Sequence, residues 1–427
     1  MGATINNLSR TNTAKSAHVE AGSAQASPEP VQTPRQNAHP HAPSTKVERQ
    51  HRTSPFINAK VNTPLAGAFG GGAPLTQKNK TAPYTGPILD AKSLGQIGDA
   101  GESVEEAILE QTGGKAAIVP YGGFDARKTP VVLVHGLPGA AASFVDIAEK
   151  LKAEGFQVLV LMYDESGLTT PDSGKQMAAS LRALKRDYYP GTKELMIVGH
   201  CMGAVVTRCA LNELQQPGWL NGGVAANDPM AGFSRITVRA IDTPWYGFAG
   251  ESKDLPGPIR RVISAVVHFF FWLFGFNGAF EMRASSEMFE KLRDVPLDKR
   301  VDFHNIWAAD ANRAFMWNLP QLPREKLIGL VRFLRTGKPP KDVGLANYAA
   351  ALREDSHFTA LRRDFLATAD GVTDGEAMEL LKEAYLKHFP AAPGDHVSLL
   401  YDDPGNANDV ADRLVGDLRS RVRYVKE

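Results

Sequence analysis

Residues Glu194 to Leu214 read ELMIVGHCMGAVVTRCALNEL, and the reading of the whole chain follows from this stretch. Leu195 to Val198 is a short apolar run of the kind that forms a buried strand. From Met202 onward, small and branched residues continue for the length of a helix. Between them lies Gly199-His200-Cys201-Met202-Gly203, a sharp turn carrying one reactive side chain. Glycines two before and two after Cys201 let the strand and the helix approach where side chains would collide. Cys201 is thereby expected to stand above a sheet at a helix N-terminus, where free N–H groups and aligned peptide dipoles favour negative charge.

Working outward, Pro130 to Val134 is a nearly all-apolar run, the pattern of a strand buried on both faces of a parallel sheet. His135-Gly136-Leu137-Pro138-Gly139 follows it at once. Ala116 to Pro120 has the composition of an early edge strand. Phe144, Ile147, Ala148 and Leu151 mark one face of a helix that Gly155 ends, Gln157 to Tyr163 is the next strand, and Met177, Leu181 and Leu184 line a second helix. Strand, helix, strand, helix, strand at this pace predicts a parallel sheet with its chemistry at the C-terminal strand ends, where His135 and Cys201 both fall. Beyond the central helix, Ile236 to Ile241 and Val301 to Asp310 read as further strands. The last helix carries Val410, Leu414, Leu418 and Val422 on one face.

With cysteine for the usual serine, Gly199 to Gly203 has the form of the G-x-S-x-G nucleophile elbow. From about Thr129 to Leu214 the chain resembles the α/β-hydrolase superfamily, in particular its lipase and esterase branch. Cysteine at this position is similar to what dienelactone hydrolases and polyhydroxyalkanoate synthases carry. The resemblance implies an oxyanion hole from backbone N–H groups at Leu137 and Met202, since a His-Gly pair after the preceding strand supplies half of it in lipases. Asp242-Thr243-Pro244-Trp245-Tyr246-Gly247 is similar to the TP-x-x-G turn of lipases, which makes Trp245 and Tyr246 candidate walls of the acyl pocket.

The superfamily order of nucleophile, acid, histidine selects the remaining partners. His396, in the turn Pro393-Gly394-Asp395-His396-Val397 before the final helix, is the expected base, with His388 and His357 as the other candidates. Two acids compete. Asp310 ends the Val301 to Asp310 strand, where the resemblance places the acid, but stands 86 residues (396 − 310) before the histidine and so requires an insertion. Asp370, in an Asp-Gly-Val sequence, is 26 residues (396 − 370) away; Asp374 is third. A helical insertion over about 320–366 is expected from the face formed by Leu327, Leu330, Val331 and Leu334. A lid-like insertion over about 250–290 is expected from Val262 to Phe276, VISAVVHFFFWLFGF. Those fifteen residues would span about 22 Å as a helix, short of the ~30 Å hydrocarbon core.

Residues 1–85 are rich in Ser, Thr, Asn, Gln, Pro and Ala and bury too little to offset the entropy of ordering, so they read as a disordered leader ahead of an α/β-hydrolase domain over 86–427. His39 and His41 in this leader are too loosely set to form a metal site. The leader lacks the apolar core of a secretory signal, so the chain is expected in the cytoplasm or, alternatively, exported without cleavage, as a Ser/Asn/Thr-rich leader resembles the unstructured signals of injected bacterial effectors. A net charge of +1 gives no field for nucleic acid. The only two cysteines, Cys201 and Cys209, lie eight residues apart on one helix, ~12 Å along its axis, and are too distant for a disulfide. The expectation is therefore an α/β-hydrolase fold acting on apolar acyl esters or thioesters, by hydrolysis or acyl transfer, through Cys201, His396 and an aspartate. No metal or organic cofactor is implied, and peripheral membrane contact would occur through the aromatic stretch. The alternative is a hydrolase-fold protein that binds a ligand, partner or membrane without turnover.

Overall fold

The computed structural model describes residues 115–423 except 137–140, 165–166, 248–280, 284, 310–318, 393, 395, 397 and 401–408, together with short pieces between residues 84 and 113. The expected leader (save Tyr84) and the aromatic stretch lie outside the described residues, as does most of the expected lid.

Among the described residues, six strands form one sheet: β1 (Ala117–Pro120), β2 (Pro130–Val134), β3 (Gln157–Met162), β4 (Glu194–His200), β5 (Arg235–Ile241) and β6 (Val301–Ile306), in the order β1-β3-β2-β4-β5-β6. β1 pairs antiparallel with β3 and every other pair is parallel. The fold is that of an α/β-hydrolase, a mixed sheet covered by helices on both faces. Two-faced burial explains the strand composition. Val132, Val134, Leu159, Leu161, Leu195 and Ile197 enter one apolar cluster. Their alternates Val131, Leu133, Val158, Val160, Met196 and Val198 enter the other. A strand with both faces dry has no polar alternate positions, hence the continuous runs.

On the second face lie α1 (Val145–Ala153), through Phe144, Ile147, Ala148 and Leu151, and the final helix, α9 (Asp409–Arg423), through Val410, Leu414 and Leu418. On the first lie α2 (Thr170–Asp187) and α3 (Met202–Gln215); α3 is the helix that leaves the elbow. α2 begins at Thr169, whose side chain accepts from the Asp172 N–H, with Pro171 in the first turn. α4 (Glu287–Asp294) packs Met288, Phe289 and Leu292 onto the same cluster.

Among the described residues, four α-helices stand between β6 and α9, namely α5 (Arg324–Thr336), α6 (Val343–Glu354), α7 (Phe358–Thr368) and α8 (Asp374–His388), so the helical segment continues past the residue-366 boundary read from the sequence. It returns beside the end of β6, where Ala392 bridges Ala308: Ala392 N–H donates to Trp307 O at 2.8 Å and Ala309 N–H to Ala392 O at 2.8 Å. Four residues later comes His396. Among the described residues, no helix is long and apolar enough to cross a membrane.

Candidate active site

β4 delivers the chain to Cys201 in a conformation few non-glycine residues adopt, φ 51° and ψ −127°. Backbone of this kind costs on the order of 1–3 kcal/mol and persists where the surroundings over-determine it. Here they do. A Cβ on Gly199 would come within 2.7 Å of the Ala204 Cα, and one on Gly203 would overlap the carbonyl oxygens of Val134 and His135. Gly136, after β2, is equally constrained, since a Cβ there would stand 2.5 Å from the Cys201 Cβ. The Cys201 N–H extends the ladder by donating to Ile241 O at 2.9 Å. Cys209, about two turns along α3, is wholly buried, and burial pushes its thiol up to about 12. Of the two thiols, only Cys201 sits at the strand end.

β4 and β5 run parallel with His200 opposite Ile241, so the next residues, Cys201 and Asp242, stand side by side at the strand ends. Asp242 also has left-handed backbone, φ 41°, with its N–H donating to Ile306 O at 2.8 Å. Across this pair comes His396, buried, with Nδ1–H donating to Asp242 Oδ2 at 2.5 Å. That leaves Nε2 for the Cys201 sulfur, with which the ring is hydrogen-bonded. Burial alone would lower the imidazole pKa, but the Asp242 carboxylate and the Cys201 sulfur together outweigh it and raise it to about 10.

His200 holds the loop. Its Nε2–H donates to the His396 backbone O at 2.8 Å, and the two rings lie 4.5 Å apart. Complete burial, then the neighbouring His396, depress His200 to about 3, so it stays neutral and works as a hydrogen-bond donor rather than as a second base. His135 has a comparable supporting place: Tyr163 donates to its carbonyl at 2.7 Å and stacks on its ring at 4.5 Å.

The carboxylate on His396 is therefore Asp242, in place of the three acids read from the sequence. Asp370 lies exposed in the turn between α7 and α8, and Asp310 lies outside the described residues. Asp374 is held by Arg335 at 2.8 Å and Arg332 at 3.0 Å. The alternative histidines are also engaged elsewhere, His388 with Asp364 at 3.0 Å and His357 with His304 at 2.8 Å. Asp242 was visible as the first residue after a strand, but the TP-x-x-G turn absorbed it. The deciding signal is the sheet order, which puts β5 rather than β6 next to the elbow strand.

Of the expected oxyanion donors, Leu137 lies outside the described residues. Met202 opens α3, where the first N–H groups have no intrahelical acceptor, and its nitrogen is close to Gly136. Trp245 and Tyr246 make their contacts with β6 and the helical layer: the indole N–H donates to Asn305 Oδ1 at 2.7 Å, and the phenol donates to Asp342 Oδ1 at 3.1 Å.

Residues 127–265 match the profile of a family described as "Putative serine esterase (DUF676)". No curated protein matches the sequence. Among solved structures, the chain is similar to the butyrate-bound esterase Est2 of Thermogutta terrifontis, with 10% identity over 73% of this chain and 89% of that one and a TM-score of 0.35. It is also similar to a carboxylesterase of Nitrososphaera gargenis (13% identity, 73% and 97% covered, TM-score 0.33) and to the lipase BlEst2 of Bacillus licheniformis (17%, 46% and 72%, TM-score 0.32). The sheet order and the strained elbow at Cys201 are the features that define the fold.

Proposed function

We propose that this protein cleaves ester or thioester bonds of apolar acyl substrates through an acyl-enzyme on Cys201. The observation that carries the reading is Cys201, His396 and Asp242 meeting at the C-terminal ends of β4 and β5, in the chain order nucleophile, acid, histidine. The "serine esterase" profile over 127–265 supports the ester-bond class, and the aromatic run Val262 to Phe276 supports an apolar acyl group.

Cys201 Sγ attacks the acyl carbonyl carbon with its proton already resting on His396 Nε2, the arrangement that the raised imidazole pKa favours. Asp242 keeps Nδ1–H directed at itself, which fixes the tautomer and steadies the imidazolium. The carbonyl oxygen gathers negative charge at the start of α3, where the Met202 N–H and the helix dipole meet it. Collapse breaks the bond to the leaving alkoxide or thiolate, which takes the proton from His396, and leaves a thioester on Cys201. An acceptor then loses its proton to His396 and attacks that thioester, releasing the acyl product and restoring the thiolate. Water as acceptor makes the protein a hydrolase. Because a thioester is also open to alcohols, amines and thiols, acyl transfer is supported by the same sulfur.

The test is incubation with chromogenic acyl esters of graded chain length, with intact-mass detection of the acyl adduct. Turnover with an adduct that maps to Cys201 and disappears in Cys201→Ala is expected. Absence of both turnover and adduct across ester and thioester substrates would overturn catalysis and leave a binding protein.

A further inference from the structure

A second cluster of chemistry-bearing side chains lies away from Cys201, where the corner between α6 and α7 meets β6. His304 is in β6, Asp355 is the residue after α6, and His357 precedes α7. Their ligand atoms converge: His304 Nδ1 is 3.1 Å from Asp355 Oδ1, His357 Nδ1 is 2.8 Å from His304 Nδ1, and His357 Nδ1 is 3.7 Å from Asp355 Oδ1. No motif spacing announces them, since His304 and Asp355 are 51 residues apart.

Protons serve this triangle poorly. A ring nitrogen has either one N–H or one lone pair, so His304 Nδ1 can satisfy both neighbours only as a three-centre donor. Placing the proton on His357 instead leaves the His304 lone pair facing a carboxylate oxygen. A cation at the centre accepts all three donors at once. Zinc–nitrogen and zinc–oxygen bonds of ~2.0–2.2 Å in tetrahedral geometry put ligand atoms ~3.3–3.6 Å apart, and the three edges here bracket that range.

The surroundings are those of a supported site. Asp355 is fully buried and oriented by three N–H groups: Asn305 N at 2.7 Å and Asn305 Nδ2 at 3.0 Å on Oδ2, and His357 N at 2.9 Å on Oδ1. Such hydrogen bonds to a ligating carboxylate are what fix a metal's geometry. Ser356 N–H donates to Phe303 O at 2.7 Å, which locks the corner to the strand. Phe389 packs against both imidazoles, with ring centres 5.6 and 6.0 Å away. The His357 side chain is 40% exposed, which opens an entry path and room for water as a fourth ligand.

We propose that His304, Asp355 and His357 bind a divalent cation of the zinc type, which clamps the α6–α7 corner onto β6. Asn305 then extends the clamp, because its amide nitrogen holds Asp355 while its amide oxygen holds the Trp245 indole, three residues from Asp242. The role is structural bracing of the strand end that carries the acid; the cation takes no part in bond cleavage.

The test uses the full chain carrying Cys201→Ser, so that the elbow thiol cannot bind metal. After chelator stripping, zinc is titrated by calorimetry and thermal unfolding is followed with and without it. Saturable binding of about one equivalent and a raised Tm, reversed by chelator, are expected. Cobalt(II) in its place should give visible d–d absorption of a low-coordinate site. His304→Gln and His357→Gln, each checked for native circular dichroism, should each weaken zinc by more than the ~10–100-fold lost when a partner outside the ligand set is removed. His357→Gln, at the more exposed position, guards against loss through misfolding of the other variant. Absence of saturable zinc binding in the stripped protein, or equal affinity in a folded His357→Gln variant, would overturn the site. Because none of these readouts uses turnover, failure here leaves the proposed esterase reading untouched, and the converse holds.

Discussion

The imidazole of His396 is the residue on which most of the local electrostatics turns. Two hydrogen-bonding partners, Asp242 and the Cys201 sulfur, raise its pKa to about 10 against the opposing effect of burial. A base that binds its proton more tightly in the folded state than in the unfolded chain stabilises the fold below the unfolded value near 6.5, and that stabilisation is lost as pH rises toward 10. His200 works in the other direction. It is depressed to about 3 by burial and by His396, so its contribution is complete above about 6.5 and is lost as pH falls through the range down to 3. The two histidines therefore predict maximal stability near neutrality, with an alkaline shoulder belonging to His396. In Asp242→Asn that shoulder should shrink, because the neutral amide no longer holds the imidazolium; Tm measured from pH 5 to 10 on both proteins checks it, and an unchanged alkaline slope would count against the pairing. The same substitution should lower kcat by about 10²–10⁴-fold through loss of the correct tautomer. Asp370→Asn, in an exposed turn, should leave kcat within twofold of the parent.

At the scale of elements, the elbow is a crossing of backbones, and its glycines are required by contact rather than by turn propensity alone. Gly203 stands over the carbonyls that end β2, and Gly199 over Ala204 in the first turn of α3. A methyl group added to Gly203 has rigid backbone in its way and can be accommodated only by displacing α3 from the sheet. Gly203→Ala is expected to destabilise the protein by about 1–3 kcal/mol and to reduce acylation as Cys201 loses its register with His396. Gly191→Ala, where a Cβ meets nothing within 4 Å, is the control. Urea unfolding of the two variants separates them. These elements were legible in the sequence because strands buried on both faces must be continuously apolar, and because a glycine-flanked turn between such a strand and a helix has few other readings. Asp242 was not, since nothing local distinguishes the aspartate after β5 from one after β6. The choice is made by strand order, a property of tertiary pairing. The cluster of His304, Asp355 and His357 was hidden for a similar reason: it forms only when the α6–α7 corner docks on β6.

At the scale of the whole molecule, the helical segment α5–α8 must be held to the sheet, and one buried cation does much of this. Arg208, on α3, is 1% exposed in its side chain and meets Glu354 at the end of α6 through two bonds, Nε at 2.9 Å and Nη2 at 2.7 Å. Nη2 also donates to the carbonyls of Val295 at 2.6 Å and Leu292 at 3.2 Å, beside α4. The elbow helix, α4 and the helical segment thus share one guanidinium, and Glu354 is the residue before Asp355. Removing either partner strands a charge in a dry interior. Arg208→Met and Glu354→Leu should therefore each cost on the order of 3–5 kcal/mol, while the double substitution, which leaves no buried charge, should recover most of it. A double-mutant cycle by urea unfolding measures the coupling. Single losses that simply add in the double variant would mean that the two side chains act independently and that the helical segment is held by its apolar contacts alone. Strong coupling would instead place Asp355, and with it the clamp on β6, under the control of the helix that begins at Cys201. Zinc affinity in Glu354→Leu should then fall while His304 and His357 are both still present.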